Sequence, residues 1–384
     1  DISLPKGWSL MNDTLGIILA GVEDTTQLGE LTRMRSVAAM PVGGRYRLID
    51  FLLSSMVNSG ITNFGVPTLT SYRSLMDHLG SGKEWDLNRK LYGLFVLPPD
   101  MNVKHMDAFR GDLDVLGGIP GYLSRSKQEY VMLCGCSALF NTTFYDLREQ
   151  HILSGADVSV MCCPCTADVS GNGSRLVAVT ADDDGTVTDM RARSGIRAGE
   201  LRSMDIWFMK KRFLEQQIER CLSHGMHDFI IDVVIRNLDR LKIHAYRYDG
   251  HVGLFDSAAG FYRENMRFLE PAVCAELFPP DNPVYTKIKD QIPTFYGEHA
   301  AVSNAIVGDG CVVKGTVENC VIFRGVTIEE GAHVRDSIVM QNSHIESGAE
   351  LECAILDKNV TIRPGKRLVG QPDYPVVVGK NTVI

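Results

Sequence analysis

The first regular feature of the chain is an unbroken apolar run, Leu15-Gly16-Ile17-Ile18-Leu19-Ala20, closing at Gly21. Apolar residues without alternation, bounded by glycine, predict a strand buried on both faces, as in a parallel sheet. Further short aliphatic or aromatic runs predict strands over residues 63–69, 130–134, 157–163 and 203–209. Between them a helical period predicts helices over 70–79, 112–127, 142–154 and 211–223, and an amphipathic helix ending near Asn58. Strands and helices in alternation predict an α/β sheet, mostly parallel, that binds ligands at the carboxyl ends of its strands. Residues 176–190 depart from this pattern. There Ala181-Asp182-Asp183-Asp184-Gly185 lies between two β-rich runs and predicts a hairpin. A helix over 261–268 and a proline-containing stretch over 278–293 read as a linker.

From Ile306 the period changes. Gly331, Gly348 and Gly365 are evenly spaced by one repeat, as are Ile328, Ile345 and Ile362, and Val334, Leu351 and Leu368. Within each repeat, aliphatic positions recur at about every sixth residue, which no 3.6-residue helix produces, and Val, Ile and Thr dominate. This is an imperfect hexapeptide repeat, in which each coil of short strands stacks on the one before to build a narrow continuous core. The expected organisation is an α/β domain over 11–255, a linker over 256–298 and a repeat domain over 299–384.

A formal net charge of −8 leaves no basic surface that argues for nucleic acid or an anionic membrane. The apolar runs are too short and too often interrupted by charge for a transmembrane helix. Residues 1–10 lack the basic start and apolar core of a signal peptide, and they precede Met11, which reads as the native start after an appended remnant. A cytoplasmic location is therefore expected. The ten cysteines lack the dense spacing of a secreted scaffold. Cys134 with Cys136, and Cys163 with Cys165, each share one strand face, so four thiolates could in principle hold zinc. Their mid-strand setting favours the plainer reading of buried cysteines acting as small hydrophobes.

The loop after the first strand carries the chemistry. Gly21-Val22-Glu23-Asp24-Thr25-Thr26-Gln27-Leu28 has one glycine, two acids and no base. A polyphosphate loop needs several glycines, so that backbone N–H groups can close around the oxyanions. Yet Gly43-Gly44-Arg45-Tyr46-Arg47-Leu48-Ile49-Asp50-Phe51 follows, and then Asn58-Ser59-Gly60-Ile61, Trp85-Asp86-Leu87 and Leu97-Pro98-Pro99. With Ala20-Gly21, Leu31-Thr32 and Arg35, these residues resemble bacterial glucose-1-phosphate adenylyltransferases (ADP-glucose pyrophosphorylases). The pattern of losses is most similar to the non-catalytic D-type subunit that accompanies a catalytic subunit.

The resemblance implies a Rossmann-like nucleotidyltransferase domain followed by a left-handed parallel β-helix. It also implies a reaction, ATP plus glucose 1-phosphate giving ADP-glucose and pyrophosphate, that uses magnesium. Carried over residue by residue, the family's glycine loop falls on Val22 to Gln27, its R-A-K-P-A lysine on Val37 and its metal-binding aspartate on Cys136. Its E-K-P segment falls on Ala192-Arg193-Ser194, and its D-F-G-K-D segment on Asp228 to Asp232, leaving Gly21, Arg193 and Asp232 as remnants. The W-x-D-V-G-T segment falls on Val252 to Ser257. Losing one preorganised charge donor costs about 3–4 kcal/mol of transition-state stabilisation, so several losses together predict a chain with little turnover of its own. The expectation is a regulatory subunit with no cofactor requirement, whose catalytic partner uses magnesium and ATP in a hetero-oligomer, expected as a tetramer. A homo-oligomer is the alternative assembly. For an anionic sugar-phosphate effector the candidates are Arg35, Arg45, Arg47, Arg363 and Arg367. Two rival readings are an active enzyme remodelled around Asp232 and Arg193, and a β-helix acyltransferase using His333 or His344.

Overall fold

The computed structural model describes residues 11–21, 25–69, 71–98, 110–166, 168–169 and 175–384. Val22, Glu23 and Asp24 of the first loop, and residues 1–10, lie outside the described residues. Thr14–Ile18 is a fully buried strand, paired in parallel with Asn63–Pro67 on one side and Tyr130–Cys134 on the other. Gly93–Leu97 extends this parallel set. The long strand Leu201–Lys210 then runs antiparallel to Tyr130–Cys134 and to Val158–Pro164, while Ile243–Arg247 is parallel to Val158–Pro164. The predicted hairpin is present as Val177–Ala181 against Val187–Ala192, and it completes a nine-stranded sheet.

Several helical expectations change. The helix predicted over 112–127 is two, Asp112–Gly117 and Pro120–Arg125. Two glycines favour fraying at 117–118, and Pro120 removes a backbone donor. The other helices begin later than predicted, at Arg73 and Tyr145, whereas Lys211–Ser223 has the predicted bounds. Leu48–Asn58 keeps its polar residues Asp50, Ser54, Ser55 and Asn58 on one side, yet every residue but Val57 is buried. Its surroundings explain this. Phe51 packs edge-on against Phe268, 6.2 Å between ring centres, and at 5.6 Å from Phe278. Residues 256–298, expected as a linker, include helices Ala258–Met266 and Pro271–Leu277, whose Phe261, Val273 and Leu277 join the main core.

The repeat domain is a parallel β-helix. Thr327–Ile328, His344–Ile345 and Thr361–Ile362 stack in register on one face, and Thr316–Ile322, His333–Arg335, Glu350–Glu352 and Arg367–Val369 on another. Gly331, Gly348 and Gly365 occupy its turns at φ of 74°, 67° and 67°, a backbone that L side chains rarely adopt. Val313, Val317, Ile328, Val334, Ile345, Leu351 and Ile362 fill its interior. The outer residues Val321, Phe323, Ile338, Met340 and Ile355 belong to the same apolar core as Phe51 and Phe268. Burial of this shared surface, worth roughly 25 cal/mol per Å² of apolar area, holds the β-helix against the α/β domain. Among the described residues no helix is long and apolar enough to cross a membrane.

Candidate anion-binding site

Two places could carry chemistry, and they differ in what fills them. The first is the crevice at the strand ends. Gly21, at φ 101°, follows the first strand, and the Leu19 N–H donates to the Cys134 carbonyl at 2.8 Å. Cys136 and Val37 are both only 1% exposed, while Gln27 is exposed. Opposite them, Leu201–Lys210 bulges between Ser203 and Ile206, placing Asp205 at φ 58°. The Asp205 carbonyl accepts from the Gly135 N–H at 2.8 Å, and its carboxylate leaves no room for a Cβ at Gly135. Arg175 pairs with Asp205 and reaches Asp112 at 3.2 Å. Burial pushes the Asp112 carboxyl up to about 6, against the pull of Arg175. This internal ion triad occupies the mouth of the strand ends.

Magnesium takes hard oxygen ligands, and these residues do not fit it. Cys136 offers sulfur, and Asp205 is engaged by Arg175 and by the Trp207 indole N–H at 3.0 Å. Asp232 lies 2.7 Å from Arg236 and accepts from the backbone N–H groups of His227 and Asp228 at 2.9 and 3.0 Å, so it caps a turn. Arg193 is exposed, at φ 57° just beyond the hairpin strand. Cys134 and Cys163 lie on strands separated by Leu201–Lys210, and no group of three or more His, Cys, Asp or Glu among the described residues could hold a metal.

The second place lies between the domains. Gly43 and Gly44, at φ 56° and 76°, make the tight turn from Pro41–Val42 to Tyr46–Arg47. A Cβ on Gly44 would meet Ile306 of the β-helix at 2.9 Å, so only glycine lets the turn dock there. Beyond it Arg45 and Arg47 face Lys289, Arg324 and Lys358 around a cavity of about 160 Å³. A neighbouring cavity of about 640 Å³ shares Arg47, Lys289 and Lys358 with it. Among the described residues no carboxylate lies within ion-pairing distance of any of these five cations; Asp309 acts on Arg324 only at longer range, and three other nearby acids are engaged elsewhere. Asp50 accepts from Thr286 at 2.6 Å and contacts His78 at 2.5 Å, Lys287 holds Asp77, and Arg35 holds Asp357 at 2.5 Å. Arg47 donates to the Ser74 carbonyl and hydroxyl at 2.7 and 2.9 Å, neutral acceptors, so that Asp50 and Asp77 offset its charge only without a direct ion pair. Burial lowers Arg47 to about 10 and Lys358 to about 7, and the neighbouring cations add to both shifts. Gln341 also lines the cavity, and its buried side-chain oxygen has no hydrogen-bond partner. Cations without an ion-paired carboxylate around a cavity favour an anion.

The nucleotidyl transferase family model matches residues 15–234, and a GlmU-like C-terminal hexapeptide model matches 292–373. The glycogen biosynthesis protein GlgD of Bacillus subtilis is 34% identical over 375 residues, covering 97% of both chains. GlgD of Geobacillus stearothermophilus is 37% identical, over 95% of this chain and 97% of its own length. The glucose-1-phosphate adenylyltransferase of Thermotoga maritima is 32% identical, over 85% of this chain and 77% of its own. The chain belongs to the GlgD-like family of nucleotidyl transferases.

Within that family framework, the arginines singled out in the sequence divide. Arg45 and Arg47 line the interdomain cavity. Arg35 does not: it is 3% exposed and committed to Asp357, so it ties the domains together. Arg363 and Arg367 are exposed and absent from the cavity lining, and Arg367 pairs with Glu350 at 3.1 Å. Their repeat register puts them on a different corner of the coil. Lys289, Arg324 and Lys358 escaped the sequence reading, although a signal for two of them existed. Arg324, Gln341 and Lys358 are each one repeat apart and so stack in a column on one corner. His333 is exposed, and His344 faces Glu329 at 3.3 Å, in contact with no nucleophile.

Proposed function

We propose that this chain is a regulatory, catalytically impaired subunit of ADP-glucose pyrophosphorylase in glycogen biosynthesis. It joins a catalytic subunit that supplies the magnesium and ATP chemistry, in a hetero-oligomer taken here as a tetramer, and it reads an anionic metabolite in the interdomain cavity. The observation that carries this reading is the contrast between the two places. At the strand ends Arg175 is held between two carboxylates; in the cavity, no carboxylate among the described residues pairs with Arg45, Arg47, Lys289, Arg324 or Lys358. The unpartnered oxygen of Gln341 suits a ligand with hydroxyl donors beside its phosphate, as in a sugar phosphate.

The test is effector response in the mixed assembly. Each charge-assisted hydrogen bond contributes about 1.5–3 kcal/mol, so Arg47→Ala or Arg324→Ala should raise the half-saturating effector concentration about tenfold or more. The basal rate should stay near that of the wild-type mixture. Unchanged effector response in both variants would remove the cavity from the account.

A further inference from the structure

Lys358 differs from the other cations of the cavity. It sits on the β-helix corner directly after Asp357, whose carboxylate is held by Arg35 and accepts the Lys358 backbone N–H at 2.7 Å. The side chain faces Arg47 from the start of helix Leu48–Asn58, Arg35 from the segment before it, and Lys289 from the stretch after the last helix. Across the cavity stand Arg324 and Arg45. His78 also lines it, but is engaged by Asp50, and burial keeps its pKa below the usual value. Two arginines, Arg47 and Arg35, and a second lysine, Lys289, thus crowd one ammonium, with Asp357 as its close acid and that acid already spent on Arg35, while Asp77 and Lys380 line the neighbouring cavity.

Resting on the reading of this cavity as an anion site, we propose that it takes up its ligand together with one proton, which goes to Lys358. In the empty site the crowded lysine sheds its proton to solvent, and an arriving anion makes the ammonium form favourable again. The proton forms an N–H bond to the lysine nitrogen, and the ligand's negative charge is balanced on that new cation. The direction follows from the charges alone: affinity is highest where the empty-site lysine already carries its proton and falls as pH rises above that point. Lys358 is lowered to about 7, and Arg47 to about 10, so the lysine titrates first. The consequence is a subunit whose effector signal weakens in alkaline conditions, with no change in the effector.

Sulfate is the probe, because it stays a dianion throughout the range and any pH dependence comes from the protein. Calorimetric titration of the full chain at several points from about pH 6.5 to about pH 9, in two buffers of different ionisation enthalpy, reads affinity and proton uptake together. The expected result is a fall of about tenfold per pH unit above about pH 7, with proton uptake approaching one per sulfate. Lys358→Arg, which keeps its charge at every pH, should bind with a nearly level affinity and no uptake. Sulfate binding with no slope and no uptake, or an unaltered slope in Lys358→Arg, would overturn the proton coupling alone. Absence of sulfate binding at about pH 6.5 would overturn the anion-site reading and the coupling with it.

Discussion

Arg35 and Arg47 lie on one short segment and meet opposite electrostatic fates. Arg35 is buried against Asp357, itself 1% exposed, and this is the charged strap between the domains. Removing one partner of such a pair leaves an uncompensated buried charge, which costs about 3–5 kcal/mol, whereas replacing both with apolar residues is close to neutral. Asp357→Ala should therefore lower stability by that amount in denaturant unfolding, and Arg35→Met with Asp357→Leu should recover most of it. Lys358 gives the converse. In the unfolded chain a lysine keeps its proton to about pH 10.4; folded, Lys358 loses it near 7. Folding thus releases a proton between those values, and the linked stability rises as pH increases through that window. Lys358→Met should melt higher than the wild type in anion-free buffer at neutral pH, and should lose the stabilisation that sulfate confers. The sequence alone marks both arginines as candidates but cannot separate them, because burial and the partner Asp357 come from a distant part of the chain.

Elements carry the next level. The paired glycines at 43–44 stood out in the sequence, but not their role, since the reason for glycine is Ile306 on the β-helix and Phe268 between the two linker helices. Gly44→Ala adds a left-handed backbone penalty of about 1–2 kcal/mol to that contact. It should lower unfolding stability by at least that much and weaken sulfate binding, because the turn would no longer bring Arg45 and Arg47 to Arg324. The β-helix was fully readable, since a stacked coil writes its period into the sequence. That same period held the column of Arg324, Gln341 and Lys358, whereas Arg363 and Arg367 are out of phase with it. The helix over 48–58 has the amphipathic pattern its sequence predicts, but its polar face meets protein rather than water: Asp50, Ser54, Ser55 and Asn58 are all buried and hydrogen-bonded. The stretch around Asp205 was read simply as strand, because a bulge at one non-glycine residue leaves no periodic mark.

At the scale of the molecule, the fold and the repeat could be read from the chain, while the ion triad at the strand ends could not. Arg175, Asp112 and Asp205 are far apart in sequence and meet only through the sheet. Repair should therefore be difficult. On the proposed function, Cys136→Asp would add one carboxylate, but at a buried position near the Arg175–Asp205 pair, and the buried Val37 would supply no charge. Catalytic groups that act together are strongly non-additive, so Cys136→Asp alone should give no ADP-glucose synthesis above background in a coupled pyrophosphate assay. The most direct measurement of the whole account is ADP-glucose formation by this chain alone, by a catalytic relative alone, and by the two mixed, each titrated with a sugar-phosphate effector. The expected result is negligible turnover for this chain, a raised or effector-sensitised rate for the mixture, and loss of that sensitivity with Arg324→Ala. Turnover by this chain within about tenfold of the relative, or a mixture indistinguishable from the relative alone, would contradict it.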